Sequence, residues 1–393
     1  MARFANGKPP FIRSSDEPNK GTKILMRDFT IGLIPVVLFA WYKNGISVYI
    51  NGDCNFWNML YPLIFILLGG LISYLFETIF FYITDPKTRS LKAMMKKQEV
   101  SFSLIPGFLL ALILPLYTPI WVLIFGTFMA TIVAKMLFGG FGNNIFNPAL
   151  IGRIAIAFTL IGVVSAAGGY LNPSEVLIDS YAGATPLAVL SDGKVISYAA
   201  LVAPYGNLWN FFIGTVPGAI GETGALFILI SYLWLAFRKV IKWFTPLVYV
   251  GVVFILTWII GMVNGDAGIW FPLYGIFSGG LMFGAVFMAT EPVTSPKNPL
   301  GKFVFALFLG VLTVLFRYIG VLPEGVATSI VVMNIFTMPI DRSTAIIRST
   351  GITKATLPKV LFISFLLLAL MIYAIIKSTT MYNLAMIFIG GGF

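Results

Sequence analysis

The sequence predicts an all-α integral membrane protein, a polytopic helix bundle of about ten to eleven transmembrane helices. Three observations carry that prediction. Hydrophobic residues make up 58% of the 393 positions and charged residues only 10%, with a mean hydropathy of +0.93. Apolar runs of about 20 residues recur with few interior charges, each long enough to cross a hydrocarbon core as a helix. The short alternating segments that a β-barrel would need are missing.

In chain order, residues 1–27 form a basic tail carrying Arg3, Lys8, Arg13, Lys20, Lys23 and Arg27. No short apolar core with a small-residue cleavage site follows directly, so this reads as a retained cytoplasmic tail rather than a cleaved signal. Spans are expected at about 28–42, 57–83, 102–117, 119–138 and 149–169, then at 222–237, 244–263, 269–289, 303–320 and 325–340, with a last one at 360–376. The chain therefore divides into a first transmembrane repeat (28–169), an extracytoplasmic loop (170–221), a second repeat (222–341) and an additional C-terminal helix and tail (342–393). Five spans on each side of the long loop give two halves of opposite orientation, the arrangement of inverted five-helix repeats. The similar stretches Asn147-Pro148-Ala149-Leu150 and Asn298-Pro299-Leu300 follow spans running in the same direction, so they do not add to that argument. Within the loop, the apolar stretch 208–220 is expected to be re-entrant, because Pro204, Gly206, Gly214, Pro217 and Gly218 interrupt it.

Orientation follows from the basic residues. With the amino terminus in the cytoplasm, 22 of the 26 Lys and Arg fall on cytoplasmic segments, including the cluster Lys87, Arg89, Lys92, Lys96 and Lys97. The outer loops hold Asp53, Glu175, Asp179, Asp192, Asp266 and Glu324, which puts residue 185 outside. Topology thus accounts for the net charge of +11 without nucleic acid. The bilayer is the expected environment.

Composition also bounds the chemistry. Cys54 is the single cysteine and there is no histidine, so the chain by itself holds neither a four-cysteine iron–sulfur cage nor a histidine-ligated haem. A redox centre would be organic or shared between subunits. Glu77, Lys135 and Arg317 are the ionisable residues drawn inside spans, where such groups usually face the protein interior; Lys135 and Arg317 lie near span ends and could also snorkel.

Four polar elements stand out. Asp179 to Leu187 presents the Thr185 hydroxyl beside Gly183 and Ala184, a backbone open enough for a phosphate to approach. A second element carries Gly218, Gly221, Glu222 and Thr223 at the start of a span, where unpaired amides favour anions and Glu222 either complements the helix dipole or serves a cation or proton. A third, 139–150, is dense in Gly and Asn, including Gly140 and Asn144. The fourth, 288–296, joins Glu291 to hydroxyls in a Pro-bounded turn suited to a hard cation or a flavin's polar edge. Each of the four reads equally as an ordinary turn.

Asp179 followed by Gly183-Ala184-Thr185 resembles the flavin attachment motif of the ion-translocating Rnf and Nqr redox complexes, although Ala182 stands where that motif usually has Ser or Thr. Residues 11–15 and 24–28, the 139–150 turn, the 217–226 element, Thr290 to Ser295, Pro323-Glu324-Gly325 and Asn334 resemble further landmarks, in order, of the RnfD and NqrB family. The entry Phe11-Ile12-Arg13-Ser14 favours the Rnf branch. The resemblance implies FMN on Thr185 as a phosphoester. It also implies a second, non-covalent riboflavin, for which the 139–150 turn is the place to look. The implied role is an electron-carrying subunit of a ferredoxin:NAD+ oxidoreductase complex that moves Na+ or H+, with other membrane and peripheral subunits as partners, a second covalent-FMN subunit on the outer side among them. A cofactor-free transporter or channel, a quinone-linked Nqr-type subunit and a structural anchor are the competing readings.

Overall fold

A computed structural model describes residues 21–168, 190, 196–265, 268–318 and 325–390, with side chains to 378. Among them there is no β-strand. Six helices are long and apolar enough to cross a membrane, or seven if one bent pair counts as a single span, so the chain is a multi-pass helical membrane protein.

Helix α1 (Thr22–Trp41) runs on through a π turn (Tyr42–Ile46) and a short helical turn (Ser47–Ile50). Then come α2 (Phe56–Thr84), the basic α3 (Leu91–Ser101), α4 (Ile105–Ile113), α5 (Ile120–Phe128) with a π segment to Met136, α6 (Pro148–Thr159) and α7 (Ile161–Ala166). After the long loop follow α8 (Leu208–Ile213), α9 (Ala225–Phe237), α10 (Phe244–Val263), and the bent pair α11 (Trp270–Phe277) and α12 (Leu281–Phe283), the latter continuing as a π turn to Met288. Helices α13 (Pro299–Tyr318), α14 (Gly325–Thr350) and α15 (Leu357–Gly390) complete the bundle.

Six of the expected spans appear as membrane-length helices, and four are corrected. The run 149–169 breaks at Leu160 into helices of 12 and six residues, each short of a crossing. The run 102–117 contains only nine helical residues, about 14 Å of rise, because Leu114 turns extended immediately before Pro115. The run 222–237 starts its helix at Ala225 and has 13 residues, short of a crossing. The run 269–289 is broken at Ser278 to Gly280 with a 66° bend, and Gly279 there has φ +65°, a conformation favouring glycine. The stretch 208–220 forms no membrane-length helix. Helix α8 has six residues, too few to cross, and the chain after it is irregular up to α9.

These interruptions free backbone groups that lipid cannot satisfy. The chain supplies partners from two directions. Between α8 and α9, the Ile220 amide donates to the Leu114 carbonyl at 3.0 Å and the Gly221 amide to the Leu112 carbonyl at 2.7 Å, stitching the 216–224 segment onto the end of α4. At the other break, Arg317 of α13 donates to the carbonyls of Gly275 at 2.7 Å and Ser278 at 3.3 Å. Arg317, 7% exposed, therefore turns inward to cap a half-helix and does not snorkel.

Small residues let the helices approach, as expected where lipid tails compete equally for apolar side chains. A Cβ on Gly107 of α4 would collide with the Gly69 carbonyl oxygen of α2, so the two backbones touch. Near the amino end, the buried Asp28 accepts from Arg238 at 2.8 Å, tying α1 to the end of α9. Gly107→Ala is expected to cost about 1–3 kcal/mol by overpacking, read as a lower melting midpoint in detergent; a wild-type midpoint would mean that α2 and α4 are not in backbone contact.

Candidate functional site

The broken helices bring the buried charges together at the end of the bundle that carries α3. Lys135 sits in the π segment Met129–Met136 and is 2% exposed; Glu77, about two turns before the end of α2, is fully buried. The Lys135 ammonium donates to Glu77 Oε1 and, at 2.7 Å, to the Ser101 carbonyl. The second Glu77 oxygen accepts from the hydroxyls of Ser101 at 2.5 Å and Ser103 at 2.7 Å. Ser73 Oγ donates to the Ser103 carbonyl at 2.6 Å, and Gln98 to Thr78 Oγ1 at 2.8 Å, which fixes the turn between α3 and α4 against α2. Both oxygens of the buried carboxylate thus have donors, as a charge in a dry interior requires. Lys135 is a core ion-pair partner, which decides for the inward of its two readings over snorkelling.

Lys135 forms part of the wall of a cavity of about 20 Å³, room for about one water. Phe29 of α1, Phe102, Phe141, Asn144 and Glu291 also line it. Phe102 has φ +52°, a costly conformation for a bulky residue, and its ring meets that of Phe141 edge-on at 4.9 Å. Gly139, Gly140 and Gly142 all have positive φ, between +83° and +103°, so this hairpin of chain depends on glycine there. The role of Gly140 is that backbone turn; nothing lies within 4 Å of where its Cβ would be.

The turn delivers two asparagines. Asn147 caps α6 by accepting from the Leu150 amide at 3.3 Å, while its own amide donates to Asn334 Oδ1 at 3.1 Å. Asn334 in turn donates to the Thr294 carbonyl at 3.2 Å, locking the 139–150 turn to the Glu291 turn. Asn144 is 5% exposed; its amide nitrogen donates to the Phe146 carbonyl at 3.2 Å, and its Oδ1 receives no hydrogen bond. An unsatisfied acceptor at a cavity wall invites a ligand that offers an N–H or O–H. Glu291, which also lines the cavity, accepts from Thr294 Oγ1 at 2.8 Å and from the side chain of Asn144. Burial pushes its carboxyl up to about 7, against the opposing pull of Thr294, Lys135 and Asn144.

The second element takes a different form from the one expected. The amides of Ile220 and Gly221 are already committed to α4 carbonyls, so they are not the open anion donors that the sequence suggested. Gly218 and Gly221 are needed for packing, since added Cβ atoms would run into Thr223 Cγ2 and Leu112 Cδ2. Thr223 Oγ1 accepts from Lys43 at 3.0 Å, and Lys43 also donates to the Val216 carbonyl at 2.5 Å. The half-buried Glu222 lies against the break in the bent pair; a Cβ on Gly280 would collide with its Oε1. Asp179, Gly183, Ala184 and Thr185 lie outside the described residues. No group of three or more His, Cys, Asp or Glu able to hold a metal occurs among the described residues.

Sequence reasoning missed Phe29, Phe102, Ser101, Ser103 and Gln98 as parts of this site. The polar run from Gln98 to Ser103, at the foot of an otherwise apolar stretch, was the available signal for four of them.

Two outcomes follow. Lys135→Met is expected to strand Glu77 and cost about 3–5 kcal/mol, while Lys135→Met with Glu77→Gln recovers most of it; equal melting midpoints for the single and double variants would show that the pair is not coupled. Glu291 holds its proton more tightly folded than unfolded, so its contribution is present in acid and lost as pH rises through about 7. The melting midpoint is expected to fall as pH rises from about 4.5 to about 7 and to level off above that, and Glu291→Gln to flatten that slope.

Comparison with known proteins identifies relatives of this chain. The profile of the NQR2, RnfD, RnfE family matches residues 7–347. A protein of Clostridium ljungdahlii, named as component D of a proton-translocating ferredoxin:NAD(+) oxidoreductase complex, is 40% identical over 250 residues, covering 61% of this chain and 71% of that protein. Component D of the Na(+)-translocating ferredoxin:NAD(+) oxidoreductase complex of Acetobacterium woodii is 34% identical over 252 residues, 64% of this chain and 73% of its own. Component B of the Na(+)-translocating NADH-quinone reductase of Chromohalobacter salexigens is 34% identical over 241 residues, 59% and 56% respectively. With a match spanning most of its length, the chain belongs to the NQR2, RnfD, RnfE family, whose members named here are subunits of ion-translocating oxidoreductase complexes.

Proposed function

We propose that the chain is the membrane electron-carrier subunit of an Rnf-type ferredoxin:NAD+ oxidoreductase, bearing FMN as a phosphoester on Thr185 and coupling electron flow to movement of Na+ or H+. The observation that carries this reading is the sequence Asp179 to Leu187, a hydroxyl beside two small residues, within a chain that has no cysteine cluster and no histidine with which to hold a metal redox centre. The identity of 40% to a ferredoxin:NAD(+) oxidoreductase component, against 34% to a quinone-reductase component, favours the Rnf branch. The relatives' names divide between proton and Na+, so similarity does not choose the ion. The distribution of basic residues supports a cytoplasmic amino terminus and an outer Thr185 loop in the cell membrane, facing a second covalent-FMN subunit.

The cavity beside Lys135 suits the second flavin, a non-covalent riboflavin. The open acceptor Asn144 Oδ1 matches a ring N–H, Phe102 and Phe141 offer faces for a planar ring, and Glu291 offers a polar edge. With room for about one water, the cavity admits a ring only when those aromatic side chains part. A flavin bound there would supply one-electron chemistry; the chain's own residues bind it, orient it and keep water out.

Mass spectrometry of the peptide containing Thr185 is expected to show an FMN adduct, lost in Thr185→Val with insertion unchanged. An unmodified peptide from cells that possess the flavin transferase would favour a cofactor-free transporter. Asn144→Leu is expected to lower the content of non-covalent flavin at least tenfold and leave the covalent FMN in place.

A further inference from the structure

The ion pair of Lys135 and Glu77 is asymmetric with respect to the cavity. Lys135 lines it, whereas Glu77 lies behind, fully buried and sealed by Ser101 and Ser103. The pair is neutral in sum, but the cavity meets its positive end. An ammonium has three donors. Glu77 and the Ser101 carbonyl take two, and the nitrogen lies 6.0 Å from the centre of the Phe141 ring, another wall of the same cavity. Those two bonds also remove the freedom a lysine stem usually has, so the charge is held in one position. Among the described residues lining the cavity, Glu291 is the only other charged group; it lies on a different turn, within electrostatic reach of Lys135, and burial keeps its proton on up to about pH 7.

We propose that Lys135, immobilised by Glu77, is the fixed positive charge of the cavity, and that it favours the form of a bound ligand that carries negative charge on the edge facing it. This rests on the reading of the cavity as a flavin site, for which the anionic form of the reduced isoalloxazine ring is the ligand of that description. A preorganised charge in a dry site needs no reorganisation when the ligand's charge changes, and it acts there more strongly than in water. Glu77 is the positioning residue, since its contact is with Lys135 and not with the cavity.

The test uses the purified complex with its flavins. Lys135→Met combined with Glu77→Gln removes both charges together and so avoids stranding either. The variant is expected to retain non-covalent flavin within about twofold of wild type while its preference for the anionic one-electron-reduced form over the oxidised form falls about tenfold, a midpoint potential lower by about 59 mV for that one-electron couple. Lys135→Arg, which keeps the charge, is expected to keep the potential close to wild type and stays informative if the double variant does not assemble. Retained flavin with an unchanged potential in the double variant would overturn the proposal, as would an Arg variant whose potential falls as though the charge were lost. If Asn144→Leu leaves the non-covalent flavin in place, the cavity reading itself fails and the proposal falls with it.

Discussion

The structure depends on one constraint: a backbone group released from a helix inside hydrocarbon must be given a partner by the protein. The chain stops α4 at Ile113 and α11 at Ser278, in each case deep within a bundle that would be simpler with intact helices. At the first stop the acceptors Leu112 and Leu114 are met by the amides of Gly221 and Ile220. At the second, the acceptors Gly275 and Ser278 are met by a guanidinium. The two solutions differ in consequence. A backbone amide is neutral and fixes geometry, whereas Arg317 brings a full charge to the negative end of a half-helix dipole, where it is attracted as well as hydrogen-bonded. Glu222 lies against Gly280, the residue that opens the other half of the bent pair, so opposite charges flank the break, each at the helix end whose dipole favours it.

The helical class and most spans were legible because crossing a bilayer takes a long apolar run and composition shows such runs directly. The run 244–263 becomes a helix with those same bounds. The half-helices were not legible from hydropathy, which scores side chains, while the breaks concern backbone hydrogen bonds. Residues 102–117 stay apolar through the point where the helix ends, and the signal is a single residue, Pro115. The interruption of the 208–220 stretch was legible because five Pro and Gly residues mark it. Glycines carry an ambiguity of their own: Gly218 and Gly221 suggested room for an anion, but they serve to let Thr223 and Leu112 pack. Sequence shows that a side chain is missing there and not which neighbour fills the space.

The site was legible in pieces. The 139–150 turn and the Glu291 turn were each singled out, yet their union through Asn334 depends on a helix beginning at Gly325, far along the chain. Lys135 and Glu77 were both noticed as intramembrane charges, but the separation of 58 residues concealed that they are partners. Position along a span suggested that Lys135 reaches outward. The π segment around it and the carboxylate across the groove turn it inward instead.

That inward turn is hard to explain by stability. Removing two ions from water costs several kcal/mol each, and well-packed apolar residues in place of such a pair are often as stable or more so. Here the pair comes with further requirements, because Ser101 and Ser103 must offer their hydroxyls to Glu77 and Phe102 adopts a left-handed backbone between them. A lysine needed only for topology could sit in the exposed cluster of α3, where Lys92 and Lys96 face outward without any of this apparatus. The arrangement makes sense where the charge has work to do at the one surface it reaches, the cavity shared with Asn144 and Glu291. The strained turn, the open acceptor and the directed ammonium then become three parts of a single binding site rather than three separate defects in a membrane bundle.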